Sequence, residues 1–360
     1  DGNAKLPALD GSLLTNVSSS TNSASDPTIS TNPSGGVGTE WHNTTSGEAY
    51  ICTDATAGAN VWTNIGAGSG NIQLKFQGDI AGFAAGGEYQ SNIIEKISFT
   101  TDGNSTDSGD LLEAIHCWGG VSSNTHGYIH GGGRGSSEWN LNAWRNTIQK
   151  FPFVAGGNST DVGDMVNVVM NQTGHSSKTH GYATGGQKNG VTDRNNVIQK
   201  WSLSTDGNST DIADLTRADA VSAGMTEFST YGYTAGGEPA SNVIQRFSFT
   251  TDANATDVGD LTRTEATACG VSDVSYGYCC GGGNVIDRFA FASSSNSADV
   301  GDLTQTKNHS AGSSATSYGY IMGGYANTNV IEKFAYGSSS SGTDVGDLTL
   351  ARASIATSQY

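Results

Sequence analysis

From residue 82 to the last residue, one three-part signature recurs six times in the same order, and nothing else restricts the fold of this 360-residue chain as strongly. Gly-aromatic-x-x-Gly-Gly begins at Gly82, Gly127, Gly181, Gly232, Gly277 and Gly319, at intervals of 45, 54, 51, 45 and 42 residues. An Asn-x-Ile segment ending in a cation follows each, opening at Asn92, Asn146, Asn196, Asn242, Asn284 and Asn329. A pentapeptide of the type Asp-Val-Gly-Asp-Leu closes each unit, starting at Asp107, Asp161, Asp211, Asp257, Asp299 and Asp344. A period of this length marks supersecondary units that bury their faces only against one another.

Each unit reads as four strands. Strand A is a Gly/Ser/Thr segment such as residues 174–180, strand B is Gly-Tyr-x-x-Gly-Gly, strand C is Asn-Val-Ile-Gln-Lys-Phe, and strand D is the short Asp-Val-Gly-Asp-Leu-Thr stretch. Between C and D, Asp102-Gly103 and Asp206-Gly207 are strong hairpin-turn dipeptides. Six such sheets predict an all-β fold, a six-bladed β-propeller over residues 71–360, with the small residues of strand A innermost. Ile94, Ile148, Ile198, Ile244, Ile286 and Ile331 of strand C are expected to be buried in every blade. Residues 351–360 read as a strand A with no strand B after it, whereas residues 77–81 match strand A poorly. The spacing therefore predicts that the C-terminal strand pairs with residues 82–87 and closes the ring; the competing arrangement gives that place to residues 72–81.

Composition agrees with many short strands and tight turns: 50 glycines, only 14% charged residues and abundant Ser, Thr and Asn. No apolar run approaches the roughly 18 residues of a membrane span, so no membrane insertion is expected. A net charge of −17 opposes binding to a nucleic-acid backbone. Cys52, Cys117, Cys269, Cys279 and Cys280 lack metal-site spacing. Cys279 and Cys280 are either a vicinal disulfide or two small strand residues kept as thiols.

Ahead of the repeats, residues 1–35 form an extended Ser/Thr/Asn-rich segment with too few apolar side chains for a core of its own. Residues 36–70 differ: Trp41, Tyr50, Ile51, Val61 and Trp62 mark short strands around turns at Ser46-Gly47 and Ala57-Gly58, a small β module.

No catalytic constellation stands out. The Asp pairs, Asp107/Asp110 through Asp344/Asp347, recur in every unit, whereas catalysis needs one asymmetric site. Asp206-Gly-Asn-Ser-Thr-Asp is rich in oxygen but lacks the spacing of a calcium loop, and reads as turn structure or, alternatively, a calcium site. His116, His126, His130 and His180 are scattered over different strands, so neither metal nor cofactor is expected. Lys96, Lys150, Lys200, Arg246, Arg288 and Lys333 of strand C read as structural partners of nearby Asp. Departures from the repeat are more informative. The B–C connection is only Gly283 in the fifth unit, yet spans residues 133–145 in the second. Trp118, Arg134, Trp139, Asn140, Trp144 and Arg145 thus form a candidate ligand-binding surface, suited to sugar or protein by stacking and hydrogen bonding. The alternative is that the loop buries its own tryptophans as a private mini-core, or packs on the N-terminal module.

The double glycine ending strand B, followed by an aliphatic strand C, resembles the kelch repeat, although Val162, Ile212 and Val258 stand where kelch repeats carry Trp. The fuller wording, Gly-Tyr-x-x-Gly-Gly through Thr-Asp-Val-Gly-Asp-Leu-Thr, resembles repeats of tail-fibre and other virion proteins of tailed bacteriophages, marine ones especially. Residues 37–66 are similar to a small β module of phage fibre and baseplate proteins. These resemblances imply a non-enzymatic virion component, a tail fibre or tip. It would be made in the host cytoplasm and carried on the extracellular particle. Its propeller would recognise a host-surface glycan or protein, and its N-terminal region would bind other virion proteins and self-associate. The alternatives are a polysaccharide-degrading or oxidase-type propeller enzyme, and a purely structural spacer or decoration protein.

Overall fold

The structure, a computed structural model, describes residues 20–66, 76–88, 91–116, 119–133, 144–188, 192–325, 328–337 and 341–360. Among them every regular element is a strand. The chain divides into two compact units, Asp1–Leu74 and Lys75–Tyr360.

In the second unit the repeats fold into six antiparallel sheets, each with the strand order A-B-C-D. Sheet 2 comprises Gly119–Ser122, His126–His130, Thr147–Pro152 and Thr160–Asp164, and sheet 3 comprises Thr173–Ser176, His180–Thr184, Val197–Ser202 and Thr210–Asp214. Sheet 4 is Ala223–Thr226, Tyr231–Ala235, Ser241–Ser248 and Thr256–Glu265; sheet 5 is Cys269–Ser272, Tyr276–Cys280, Gly283–Ala290 and Ala298–Lys307. Sheet 6 is Ala311–Ser314, Tyr318–Met322, Val330–Ala335 and Thr343–Asp347. In sheet 1, Ala81–Ala85, Ile93–Ser98 and Thr106–Asp110 supply B, C and D. Its strand A is Ala356–Gln359 from the C-terminus, which pairs antiparallel with strand B in the register Ala356↔Ala85 to Gln359↔Gly82. The expected closure is therefore present, and residues 76–80 run elsewhere: Gly78 bridges Ala315 in parallel. Each strand A touches the strand A on either side, round a complete circle. The result is an all-β, β-propeller-like architecture.

Close approach at the centre explains the small residues. A Cβ on Gly120, Gly174, Gly270 or Gly312 would lie 1.9–2.5 Å from a carbonyl oxygen of the neighbouring strand A, so a side chain there forces the strands apart. Serine hydroxyls tie these strands together: Ser122 N–H donates to Ser176 Oγ, Ser272 N–H to Ser314 Oγ and Gln359 N–H to Ser122 Oγ, each at 2.9 Å. At the other end of strand B, the paired glycines both have positive φ, 66° and 121° at Gly86 and Gly87, which turns the chain into strand C without the strain an L side chain would meet.

Strand C carries the core. Its burial pattern places two consecutive buried residues, Ile then Glu, Gln or Asp, at the centre of every sheet, because both faces are covered by neighbouring sheets. All six isoleucines are 0% exposed. Four of the six seams repeat one aromatic packing, the strand-B ring against two rings at the end of strand C in the next sheet. Tyr233 of sheet 4 sits 5.5 and 4.8 Å from Phe289 and Phe291 of sheet 5, and Tyr278 of sheet 5 lies 5.4 and 4.9 Å from Phe334 and Tyr336 of sheet 6. Such ring pairs each add about 0.5–1.5 kcal/mol beyond the area they bury.

The first unit holds a four-stranded sheet in which Ser20–Ser23 runs parallel to Glu40–Asn43, followed by Ala49–Asp54 and Val61–Asn64. Gly47 and Gly58 turn it with φ of 77° and 73°. The boundary expected at residue 35 is not a structural one. Residues 20–36 belong to this sheet unit, because Trp41 and Trp62 donate their indole N–H to Ser25 O and Thr31 O, and Asn60 holds Ile29 O and Asn32.

Truncating Ile286 to Ala is expected to cost about 2–5 kcal/mol by chemical denaturation, since a fully buried side chain leaves a cavity. Deleting residues 351–360 is expected to abolish the cooperative unfolding transition of Lys75–Tyr360, measured by circular dichroism.

Candidate functional site

Most polar motifs of the repeat are spent on the seams between sheets. The buried strand-C acid or amide accepts a backbone N–H from just beyond strand D of the preceding sheet. Gln149 Oε1 accepts from Leu112 N at 2.9 Å, Gln199 Oε1 from Val166 N at 2.8 Å and Glu95 Oε1 from Thr349 N at 2.6 Å. The Asn of each Asp-Gly-Asn-type turn caps the outer edge of the preceding sheet: Asn158 Oδ1 accepts from Asp110 N, and Asn208 Oδ1 from Asp164 N, both at 3.0 Å. The first Asp of the strand-D pair accepts from its own sheet, as Asp161 Oδ1 does from Gly163 N at 3.1 Å. These oxygens are thus engaged in turns and strand ends, which supports the turn reading over the calcium reading. Among the described residues no three His, Cys, Asp or Glu side chains converge as a metal set.

Strand-C cations bridge the same seams. Lys150 pairs with Asp206 at 2.9 Å and Lys200 with Asp252 at 2.6 Å, while Lys333 pairs with Asp102. Where Ser294 replaces that Asp in the following turn, the cation is Arg246, stacked on Tyr231 at 4.4 Å; Arg288 stacks on Tyr276 at 4.6 Å. The expectation of Asp partners therefore holds for three of the six, and a tyrosine face takes over for two.

What the repeat does not use lies at the end of the sheets that carries the B–C and D–A connections, which strand order A-B-C-D places together. In sheets 2–4 these connections are bridged: His116 to Gly133 to Trp144, Met170 to Gln187 to Arg194, and Ala220 to Glu238. Trp144, one candidate ligand-stacking residue, is only 4% exposed, so its ring is packed inside, as the alternative reading had it. Arg145 beside it stays partly exposed and grips Glu113 with Nε and Nη2, leaving Nη1 to donate to Trp144 O at 3.1 Å. Trp118, Arg134, Trp139 and Asn140 lie outside the described residues. Glu113 went unnoticed in the sequence because nothing local marks a lone Glu as the partner of an Arg 32 residues later.

A second charged group sits two seams further round and was equally invisible. Asp219 is buried, with Arg217 Nε at 2.7 Å and Gln245 Nε2 donating at 2.9 Å; Arg194 pairs with Glu238 at 2.9 Å, and Arg217 Nη2 donates to Pro239 O at 3.0 Å. Burial pushes the Asp219 carboxyl up to about 7, against the pull of Arg217 and Gln245.

The histidines do not assemble. His130 and His175 are buried and held neutral by desolvation, with His130 edge-on to Trp201 at 5.3 Å. His116 contacts Met170 Sδ at 3.3 Å, and His126 and His180 bond neighbouring threonines. Cys52, Cys269, Cys279 and Cys280 are free and buried. Successive strand residues point to opposite faces, which disposes of a Cys279–Cys280 disulfide; Cys117 lies outside the described residues. The chain matches no protein-family model, and no curated protein is significantly similar to it.

Because the folded-state value of Asp219 lies above its ordinary 3.8, its contribution to stability is present at low pH and is lost as pH rises through about 7. Asp219→Asn is expected to flatten that dependence, so its melting temperature relative to the parent chain should climb between about pH 4 and 7.

Proposed function

We propose that the six sheets are the blades of a six-bladed, kelch-like propeller serving as a non-enzymatic virion component, a phage tail fibre or tip. The propeller displays its B–C and D–A connections to a host-surface glycan or protein. Residues 1–74 attach it to other virion proteins and to further copies of itself. The observation that carries this reading is where the irregularity falls. Seam residues repeat around the ring, while the long connections of sheets 2 and 3 and the Arg145–Glu113 and Arg217–Asp219 groups gather at one end of the sheets. A rigid scaffold with variable connections suits recognition, since the sheets fix the geometry and the loops carry specificity. Arg145 fits this role: its planar guanidinium, held by Glu113, is suited to exchanging that carboxylate for an acidic or hydroxyl-rich ligand group.

Incubation with host cells and with a panel of their surface polysaccharides should give saturable binding and no release of reducing ends. Arg145→Ala should weaken binding by about tenfold or more with an unchanged melting temperature. Release of oligosaccharides would establish the enzyme instead, and absence of both binding and turnover would leave the spacer. A chain starting at Lys75 is expected to remain folded yet fail to enter particles, scored by immunoblot of purified virions.

A further inference from the structure

We infer that Cys269 and Cys280 are an oxidisable pair, a modification site in which a peroxide entering the axial cavity converts two thiols into a cross-strand disulfide. Five cysteines are spread over 360 residues, yet two of them occupy directly opposed positions on strands A and B of sheet 5. The equivalent pairs elsewhere are Ala356/Ala85, Gly119/His130, Thr173/Thr184, Ala223/Ala235 and Ala311/Met322, so the repeat itself does not call for Cys. Opposed residues of an antiparallel pair have Cα atoms about 4.5–5.5 Å apart, inside the 4.4–6.8 Å that a disulfide spans. Both side chains lie on one face of the sheet, within the same buried cluster, and Cys269 Sγ contacts Cys280 O at 3.5 Å. Cys279 points to the other face and packs in a different cluster, so it competes for neither sulfur.

Access comes through the centre of the ring. A pocket of about 70 Å³, partly open to solvent, lies between the innermost strands, and Cys269 lines it beside Gly270, Ser310 and Ala311. One water needs only about 10–15 Å³ of such space, so a peroxide of similar size can enter. Ser310 Oγ donates to Cys269 Sγ at 3.4 Å, marking Cys269 as the sulfur that meets the oxidant. Its thiolate attacks the O–O bond, which breaks to give a sulfenic acid and hydroxide; the hydroxide takes up a proton and leaves as water. The Cys280 sulfur then attacks the sulfenic sulfur, the S–O bond breaks, and the disulfide forms with a second water. Two thiols and one peroxide thus give one disulfide and two waters. Burial holds the Cys269 thiol up at about 11, so the first step is slow at neutral pH and accelerates in alkali.

The test treats the native full chain, carrying Cys117→Ser, with hydrogen peroxide, followed by denaturing alkylation and peptide mapping. A Cys269–Cys280 linkage is expected, formed about tenfold faster per unit of pH from about 7 to 9. It should raise the melting temperature by several degrees, reversed by dithiothreitol. Cys279→Ser should leave linkage unchanged, and Cys280→Ser should leave a sulfenic acid on residue 269 that dimedone traps. A linkage containing Cys279, or four alkylatable thiols after an exposure that links the unfolded chain, would overturn the proposal.

Discussion

The hydrogen-bonded ladder between Ala356–Gln359 and strand B of sheet 1 is the contact on which the other seams depend. A sheet with apolar residues on both faces has nowhere to put the second face unless another sheet covers it, and in a row of six the outermost faces would stay open. The ladder joins Ala356–Gln359, which follows sheet 6, to sheet 1 at the other end of the repeats. In doing so it brings Ile97 and Phe99 of sheet 1 against Tyr320 and Ile331 of sheet 6. It also places Arg352, 0% exposed, on Glu95, a buried carboxylate that would otherwise lack a counter-charge. An unpartnered buried charge costs several kcal/mol. Closing the ring is therefore coupled to its charge balance as well as to its packing.

The seams are alike in outline and different in chemistry. The residue four positions beyond the Leu or Met after strand D is Ile115, Val169, Asp219, Glu265, Lys307 or Arg352, each of them buried. Across the seam from the first two stands Gln149 or Gln199; across from Lys307 and Arg352 stand Glu332 and Glu95. The two buried cations thus each face a carboxylate, and Asp219 faces the amide of Gln245, a source of register specificity that identical repeats would lack. Lys307, with its ammonium 3.6 Å from Glu332 and donating to Gly323 O and Val330 O, is held below its ordinary range by burial yet remains fully engaged.

The repeat made the architecture legible because its three signatures are tied to backbone events: positive-φ glycines, a twice-buried strand C and a β-bulge in the strand-D pentapeptide. The burial of Ile94 and its counterparts and the C-terminal closure followed from aligning units, since each position has five precedents in the same chain. The unrepeated parts had no such precedent. Ser20–Ser23 is polar and exposed in composition, yet it pairs because Asn60, Trp41 and Trp62 fasten the segment that follows it, contacts no periodicity encodes. Trp144 was legible as unusual, with exposure and burial both open, because exposure depends on what folds over it. The Arg145–Glu113 and Arg194–Glu238 pairs depend on connections brought together only once the sheets are stacked.

The direction of the closing ladder has a mechanical consequence. Gln359 lies opposite Gly82, and Tyr360 N–H donates to Ala81 O, so the C-terminal end of one strand sits beside the N-terminal start of the other. Tension applied between residues 81 and 360 would load these bonds one at a time, as in opening a zip, rather than all together in shear. A particle that anchored this chain by both flanks would open the ring at low force, whereas one holding it by a single flank leaves the ladder unloaded.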